Sequence, residues 1–162
     1  MKKIFLLLVA SIAVISCTDD VRDNNPAFEG LRNGSRWRAP GVTATIDAGG
    51  ALTISGGNRF ETLTLELPTS DAGTYTLGTS ETRRALFETT GDLGEKTFAT
   101  GTGIGNGEIE IENYDAATNT ITGTFRFNAI DADAVDPEDP TPAETINFIE
   151  GHFYKVPVRP SL

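Results

Sequence analysis

The chain of 162 residues carries 13 Lys or Arg against 23 Asp or Glu, a formal charge of −10 with its single His neutral. That length is one domain's worth and can bury roughly 70% of the surface its unfolded chain exposes, so a core without staples is within reach. One Cys excludes an internal disulfide framework and any Cys-based zinc or iron–sulfur site. An isoelectric point near 4.5 argues against a nucleic-acid partner, whose phosphates need clustered Lys and Arg.

At the amino terminus, Met1-Lys2-Lys3 is a short positive region, and Ile4 to Ile15 is an unbroken apolar or small run before Ser16-Cys17. This pattern predicts a cleaved signal peptide over residues 1–16. A spanning helix needs about 20 apolar residues to cross roughly 30 Å of hydrocarbon, so the run is too short to be a transmembrane anchor. Val14-Ile15-Ser16-Cys17 resembles the bacterial lipobox, which implies that Cys17 is acylated and becomes the first mature residue; the alternative is an ordinary cleaved signal with a chance Cys. Two or three acyl chains, at about 0.8 kcal/mol per buried CH₂, hold a protein to a bilayer where one does not. Removing Lys2 and Lys3 leaves 11 basic residues against 23 acids, a mature charge of −12. Thr18 rather than Asp follows Cys17, unlike the signal that resembles inner-membrane retention, so the expected address is the outer membrane. Asp19, Asp20 and Asp23 look like a weak version of the acidic cluster that resembles a surface-export signal in Bacteroidota lipoproteins, which slightly favours the cell-surface face over the periplasmic one; solvated linkers are also commonly acidic. Residues 17–27 read as an acidic tether able to hold the following domain on the order of 30 Å from the bilayer.

From Trp37 onward the apolar residues alternate with period two. Thr62-Leu63-Thr64-Leu65-Glu66-Leu67 is the clearest run, and others occur at Val42 to Ile46, Leu52 to Ile54, Thr74 to Leu77, Arg84 to Thr89, Glu108 to Ile111, Thr120 to Ile130 and Thr145 to Val158. Gly- and Asp-rich breakers separate them, and no stretch shows a helical apolar face. The chain is therefore expected to be all-β, an antiparallel sandwich or barrel of about eight to nine short strands over residues 28–158, with a tail at 159–162. The pattern does not separate sandwich from barrel, because both bury one face of each strand. The stretch Asp131 to Thr145, with six acids and three prolines, reads as a long exposed loop, and Gly101 to Gly107 as a flexible connection.

Asn33-Gly34 with Trp37-Arg38-Ala39, then Gly73-Thr74-Tyr75-Thr76-Leu77, Gly107-Glu108-Ile109-Glu110-Ile111, Tyr114-Asp115, Thr120-Ile121-Thr122-Gly123-Thr124-Phe125-Arg126-Phe127 and Glu150-Gly151-His152-Phe153 follow one another in a familiar order. That order resembles a domain-of-unknown-function family of predicted Bacteroidota lipoproteins, over roughly Phe28 to Val158. The resemblance implies the lipid anchor and the all-β fold, and it implies no catalytic residue.

His152 is the only histidine, which excludes a two-His metal site within the chain; its phase opposite Phe153 predicts a solvent-facing position. Ser35, Ser55, Ser70 and Ser80 lie in turn or strand-edge contexts, outside any Gly-x-Ser-x-Gly elbow. Asp131, Asp133 and Asp136 offer oxygen ligands of the type calcium takes, but Val135 and Pro137 break the EF-hand pattern, and a solvated acidic loop explains the same residues. Arg36 and Arg38 flank Trp37, with Arg32 nearby, as the one basic and aromatic cluster. It is a candidate contact for a sugar ring or an anionic group, unless Trp37 is a core residue and the arginines stay solvated. The Gly-rich run at 101–107 precedes a strand, whereas a phosphate cradle precedes a helix, so no cofactor is expected.

These features predict a non-enzymatic, outer-membrane-anchored domain engaged in binding or envelope interaction, with the membrane as partner through Cys17 and a glycan, lipid or protein as further partner. The first alternative is a lipocalin-like carrier of a small apolar ligand, which requires an internal cavity. The second is a hydrolase using Asp and Glu alone, which requires converging carboxylates at a fixed separation.

Overall fold

Alternation along β10 (Thr120–Asp131) shows how this sequence makes its sheet. Ile121, Gly123, Phe125, Phe127, Ala129 and Asp131 turn inward while the residues between them face out. The computed structural model describes residues 26–90, 94–134 and 143–160. The leader, Cys17 and Asp136 lie outside them. The other strands are β1 (Ala27–Arg32), β2 (Ser35–Arg38), β3 (Val42–Ile46), β4 (Leu52–Gly57), β5 (Glu61–Leu67), β6 (Gly73–Leu77), β7 (Arg84–Thr89), β8 (Lys96–Ala99), β9 (Asn106–Asp115) and β11 (Thr145–Pro160). A 3₁₀ turn at Ala132–Ala134 follows β10.

The chain is all-β, with 11 strands in the order β2-β1-β11-β3-β4-β5-β7-β8-β10-β9-β6 and a further pairing of β10 with β11 that closes a ring. Two seams in the ring are narrow. β11 meets β3 through Val158 to Pro160 against Ala44 to Ile46, and β10 meets β8 through Ile130 and Asp131 alone. These narrow seams set off two layers, β3-β4-β5-β7-β8 and β2-β1-β11-β10-β9-β6, of one sheet closed on itself, an architecture that combines sandwich and barrel features.

The strand count exceeds the eight to nine expected, and the β11–β3 pairing is parallel, which corrects an antiparallel reading of the whole. The added strands are β1, β2 and β8. Each is short and charged and presents at most three apolar residues, too few to display a period. The β1–β2 turn is Asn33-Gly34, with φ of 47° and 77°, the doubly left-handed geometry that matches the twist of a two-residue hairpin.

The interior is filled by rings from both layers. Phe148 stacks on Phe127 at 5.0 Å, meets Trp37 edge-on at 5.6 Å, and lies 5.4 Å from Phe87 on the opposite layer. Phe28 touches Trp37 and Phe125, and leucines of β4 and β5 complete the cluster. Among the described residues, every buried side-chain nitrogen or oxygen has a hydrogen-bond partner. The Thr100 hydroxyl, fully buried, accepts from the Ala85 amide at 2.9 Å.

The Gly-rich connection at 101–107 is held rather than loose. Gly101 and Ile104 exchange two backbone bonds, of 2.9 and 3.2 Å, around Thr102-Gly103. The Glu81 carboxylate accepts from the Thr102 amide at 2.6 Å. That amide bond keeps the Glu81 carboxyl below its ordinary pKa.

Candidate functional site

The outward face of β2-β1-β11-β10-β9 carries a groove of about 370 Å³, and its shape follows from the backbone. At the level of Thr122 and Gly123 both neighbours of β10 hold an extra residue. β9 bulges at Glu112, since Thr122 faces Asn113 while Gly123 faces Ile111. β11 bulges at Tyr154 and Lys155, since Ile121 faces Val156 while Gly123 faces Phe153. A second irregularity in β11 falls at Glu150. Lys155 and Glu150 both sit at left-handed φ, 47° and 52°, a conformation that costs a non-glycine residue about 1 kcal/mol or more. His152-Phe153-Tyr154 thus lies between two strained bulges, the backbone device that re-aims side chains beside binding sites. The Thr122 hydroxyl pins one of them by accepting from the Lys155 amide at 3.1 Å.

Register then assembles the polar groups. Glu29 of β1 stands opposite Arg38 of β2 on one side and His152 of β11 on the other, and His152 stands opposite Thr124 of β10. Arg36 Nη2 donates to Glu29 Oε2 at 3.1 Å, Arg38 Nη1 lies 3.4 Å from the same oxygen, and His152 Nε2 lies 3.2 Å from Oε1. Glu29 is the organising anion, with a side chain only 17% exposed. Burial pushes its pKa up, but the Arg36 hydrogen bond and the charges of Arg36, Arg38 and His152 outweigh burial and hold it below 4.5. Glu112, Thr122, Thr124 and the half-exposed Tyr154 ring complete the wall. The groove therefore offers donors and acceptors of both signs around an aromatic surface.

The structure separates the members of the sequence-predicted cluster. Arg38 lines the groove, Arg36 bonds its Glu29 from outside the lining, and His152 joins them on the solvent face while Phe153 is fully buried. Trp37 points the other way. It is 5% exposed, packed edge-on against Phe28, Phe87 and Phe148, and its indole Nε1 donates to Glu61 Oε2 at 3.2 Å. Its faces are occupied, so it is a core residue and the stacking role assigned to it has no surface to act from. Arg32 faces away from the groove, paired with Glu61 and 5.3 Å from the Phe87 ring centroid. Asp131 is buried, accepts from the Asp133 amide at 3.2 Å and lies 3.7 Å from Lys96 Nζ, while Asp136 is outside the described residues. Among the described residues no group of three or more His, Cys, Asp or Glu is placed to hold a metal ion. Ser55 Oγ bonds Thr64 Oγ1 at 3.1 Å, and Ser80 Oγ accepts from the Thr82 amide.

Sequence reading missed Glu29, Glu112 and Tyr154. The Asn33-Gly34 hairpin signal would have paired β1 with β2 and set Glu29 beside Arg36 and Arg38, but the β1–β11 pairing that adds His152 spans most of the chain.

A family model described as a domain of unknown function (DUF6252) matches residues 24–157, most of the chain and every residue that lines the groove. The chain belongs to that family. No curated protein matches it. No solved structure matches it either. The groove is therefore a feature of this DUF6252 domain read from its own residues.

Proposed function

We propose that this chain is an outer-membrane lipoprotein, acylated at Cys17, whose DUF6252 domain binds an envelope glycan in the bulged groove without transforming it. The observation that carries the reading is the groove itself. Tyr154 supplies a ring against which the apolar face of a sugar can lie, while Arg38, His152, Glu29 and Glu112 present the planar, multiply hydrogen-bonding groups that match vicinal hydroxyls. The filled interior supports an external ligand over an internal one, since the space a lipocalin-like carrier needs is taken by Phe28, Phe87, Phe127 and Phe148. Position supports it too. Ala27 lines the groove, so a tether from Cys17 arrives at its rim and keeps it within on the order of 30 Å of the bilayer.

The test is titration of the full chain, in detergent micelles, with soluble oligosaccharides released from the envelope, by calorimetry. Saturable binding that Tyr154→Ala and Arg38→Ala each weaken about tenfold, roughly 1.4 kcal/mol, with unchanged thermal midpoints, is the expected result. Absence of saturation, or binding indifferent to both variants, overturns the reading. The anchor is tested separately: Cys17→Ala removes acyl labelling and releases the protein from membranes, and persistence of both sinks the lipoprotein assignment.

A further inference from the structure

The sheet ends in two edge strands, β2 and β6, and they differ in a way that has a use. β2 carries Arg36 and Arg38, charges of the kind that keep an edge from pairing with other chains. β6 carries none of these guards. Gly73-Thr74-Tyr75-Thr76-Leu77 has no charge, no proline and an uninterrupted register against β9 on its one paired side. On its other side the alternate N–H and C=O groups of an antiparallel edge point away from the sheet. The strand is also held in place for pairing. The Tyr75 hydroxyl donates to the Asp71 carbonyl at 2.7 Å and Leu77 is buried, so little ordering cost opposes an added strand.

The surroundings select the chemistry of the addition. Thr76 and Thr74 stand opposite Glu108 and Glu110 of β9. Glu108 is paired with Arg126, whereas Glu110 is exposed and has no ion-pair partner among the described residues. A strand added beyond β6 would lie about 10 Å from β9, a gap that an extended Lys side chain and the Glu110 side chain cover together over the short threonines. The net charge of −10 opposes a second copy of the same chain at this edge. We infer that β6 is a docking edge for an extended, basic segment of a partner protein, which pairs with it by backbone hydrogen bonds and places alternate Lys or Arg side chains over Glu110.

This surface is independent of the groove, and so is its test. The probe is an acetylated peptide of alternating Lys and Val, titrated onto the full chain in detergent micelles with hydrogen exchange read at each amide. The expected result is saturable binding that slows exchange along β6, weakens several-fold as salt rises, is absent for the matching Glu and Val peptide, and is lost when the peptide amides along one edge are N-methylated. Glu110→Lys weakens the Lys peptide several-fold, and Tyr154→Ala leaves it unchanged. No saturation, protection that falls away from β6, or binding that survives N-methylation of each edge in turn overturns the inference.

Discussion

Truncating Phe148 to Ala tests the central claim that the interior is packed rather than hollow. The Phe148 side chain is fully buried and touches four other rings, Trp37, Phe87, Phe125 and Phe127, at centroid distances from 5.0 to 6.2 Å. Removing a buried Phe costs about 3–5 kcal/mol in transfer and cavity terms, and ring pairs add about 0.5–1.5 kcal/mol beyond burial. Two of the four partners sit in the same sheet on β10, where relaxation toward the vacancy is limited by the β10–β11 register. The upper half of the range, about 4–5 kcal/mol, is the expected loss. Against a total of about 5–15 kcal/mol this is a large fraction, and it lowers the thermal midpoint on the order of 15 °C. Urea unfolding gives the value, with Phe148→Leu as a milder variant that retains the fold. Phe60→Ala serves as control, since Phe60 is 48% exposed and its loss should leave stability nearly unchanged. A loss below about 2 kcal/mol for Phe148→Ala would refute the packing argument, because truncation into an existing cavity removes few contacts.

Three further outcomes follow from the same geometry. Gly123→Ala places a methyl against both the Glu110 carbonyl and the Phe153 ring, so it should destabilise by about 2 kcal/mol or more in urea unfolding; a neutral result would mean that the β9 and β10 backbones yield. Glu29→Gln removes the anion shared by Arg36, Arg38 and His152, and about 1 kcal/mol of stability at neutral pH. Because the folded-state pKa of Glu29 lies below its unfolded value, near 4.5, that contribution is complete above pH 4.5 and disappears as the pH falls through the lower folded value. The gap between wild type and variant should therefore close on acidification, and a gap that widens in acid contradicts the assigned direction. Trp37→Phe leaves Glu61 without its indole donor and underfills the space between Phe87 and Phe148; it should cost about 1–2 kcal/mol in thermal unfolding while leaving groove binding intact, and a loss of binding at unchanged stability would return Trp37 to the surface.

Periodicity alone made the fold class legible. In β5 from Thr62 to Leu67 and in β10 from Thr124 to Asn128 the residues facing the core are apolar and those facing water polar, so side-chain chemistry reports the period directly, and β3 and β7 were located to the residue. The same logic set His152 outward from the burial of Phe153. It failed for β1, β2 and β8, whose four to six residues carry too few apolar side chains, and which are strands because β11 pairs with β1, β1 with β2, and β10 and β7 with β8. The grooved face was less legible still. Arg36 and Arg38 stood out by composition, but the group that organises them, Glu29, meets His152 only through a pairing between the first and last strands. Whether Trp37 faced the arginines or the core was likewise a question of what lay behind it, and the answer came from Phe87 on the opposite layer. Local alternation depends on residues two apart and is written in the chain, whereas ring closure, the paired bulges that hollow the groove and the contrast between the β2 and β6 edges depend on contacts between residues far apart in sequence, which only the folded sheet brings together.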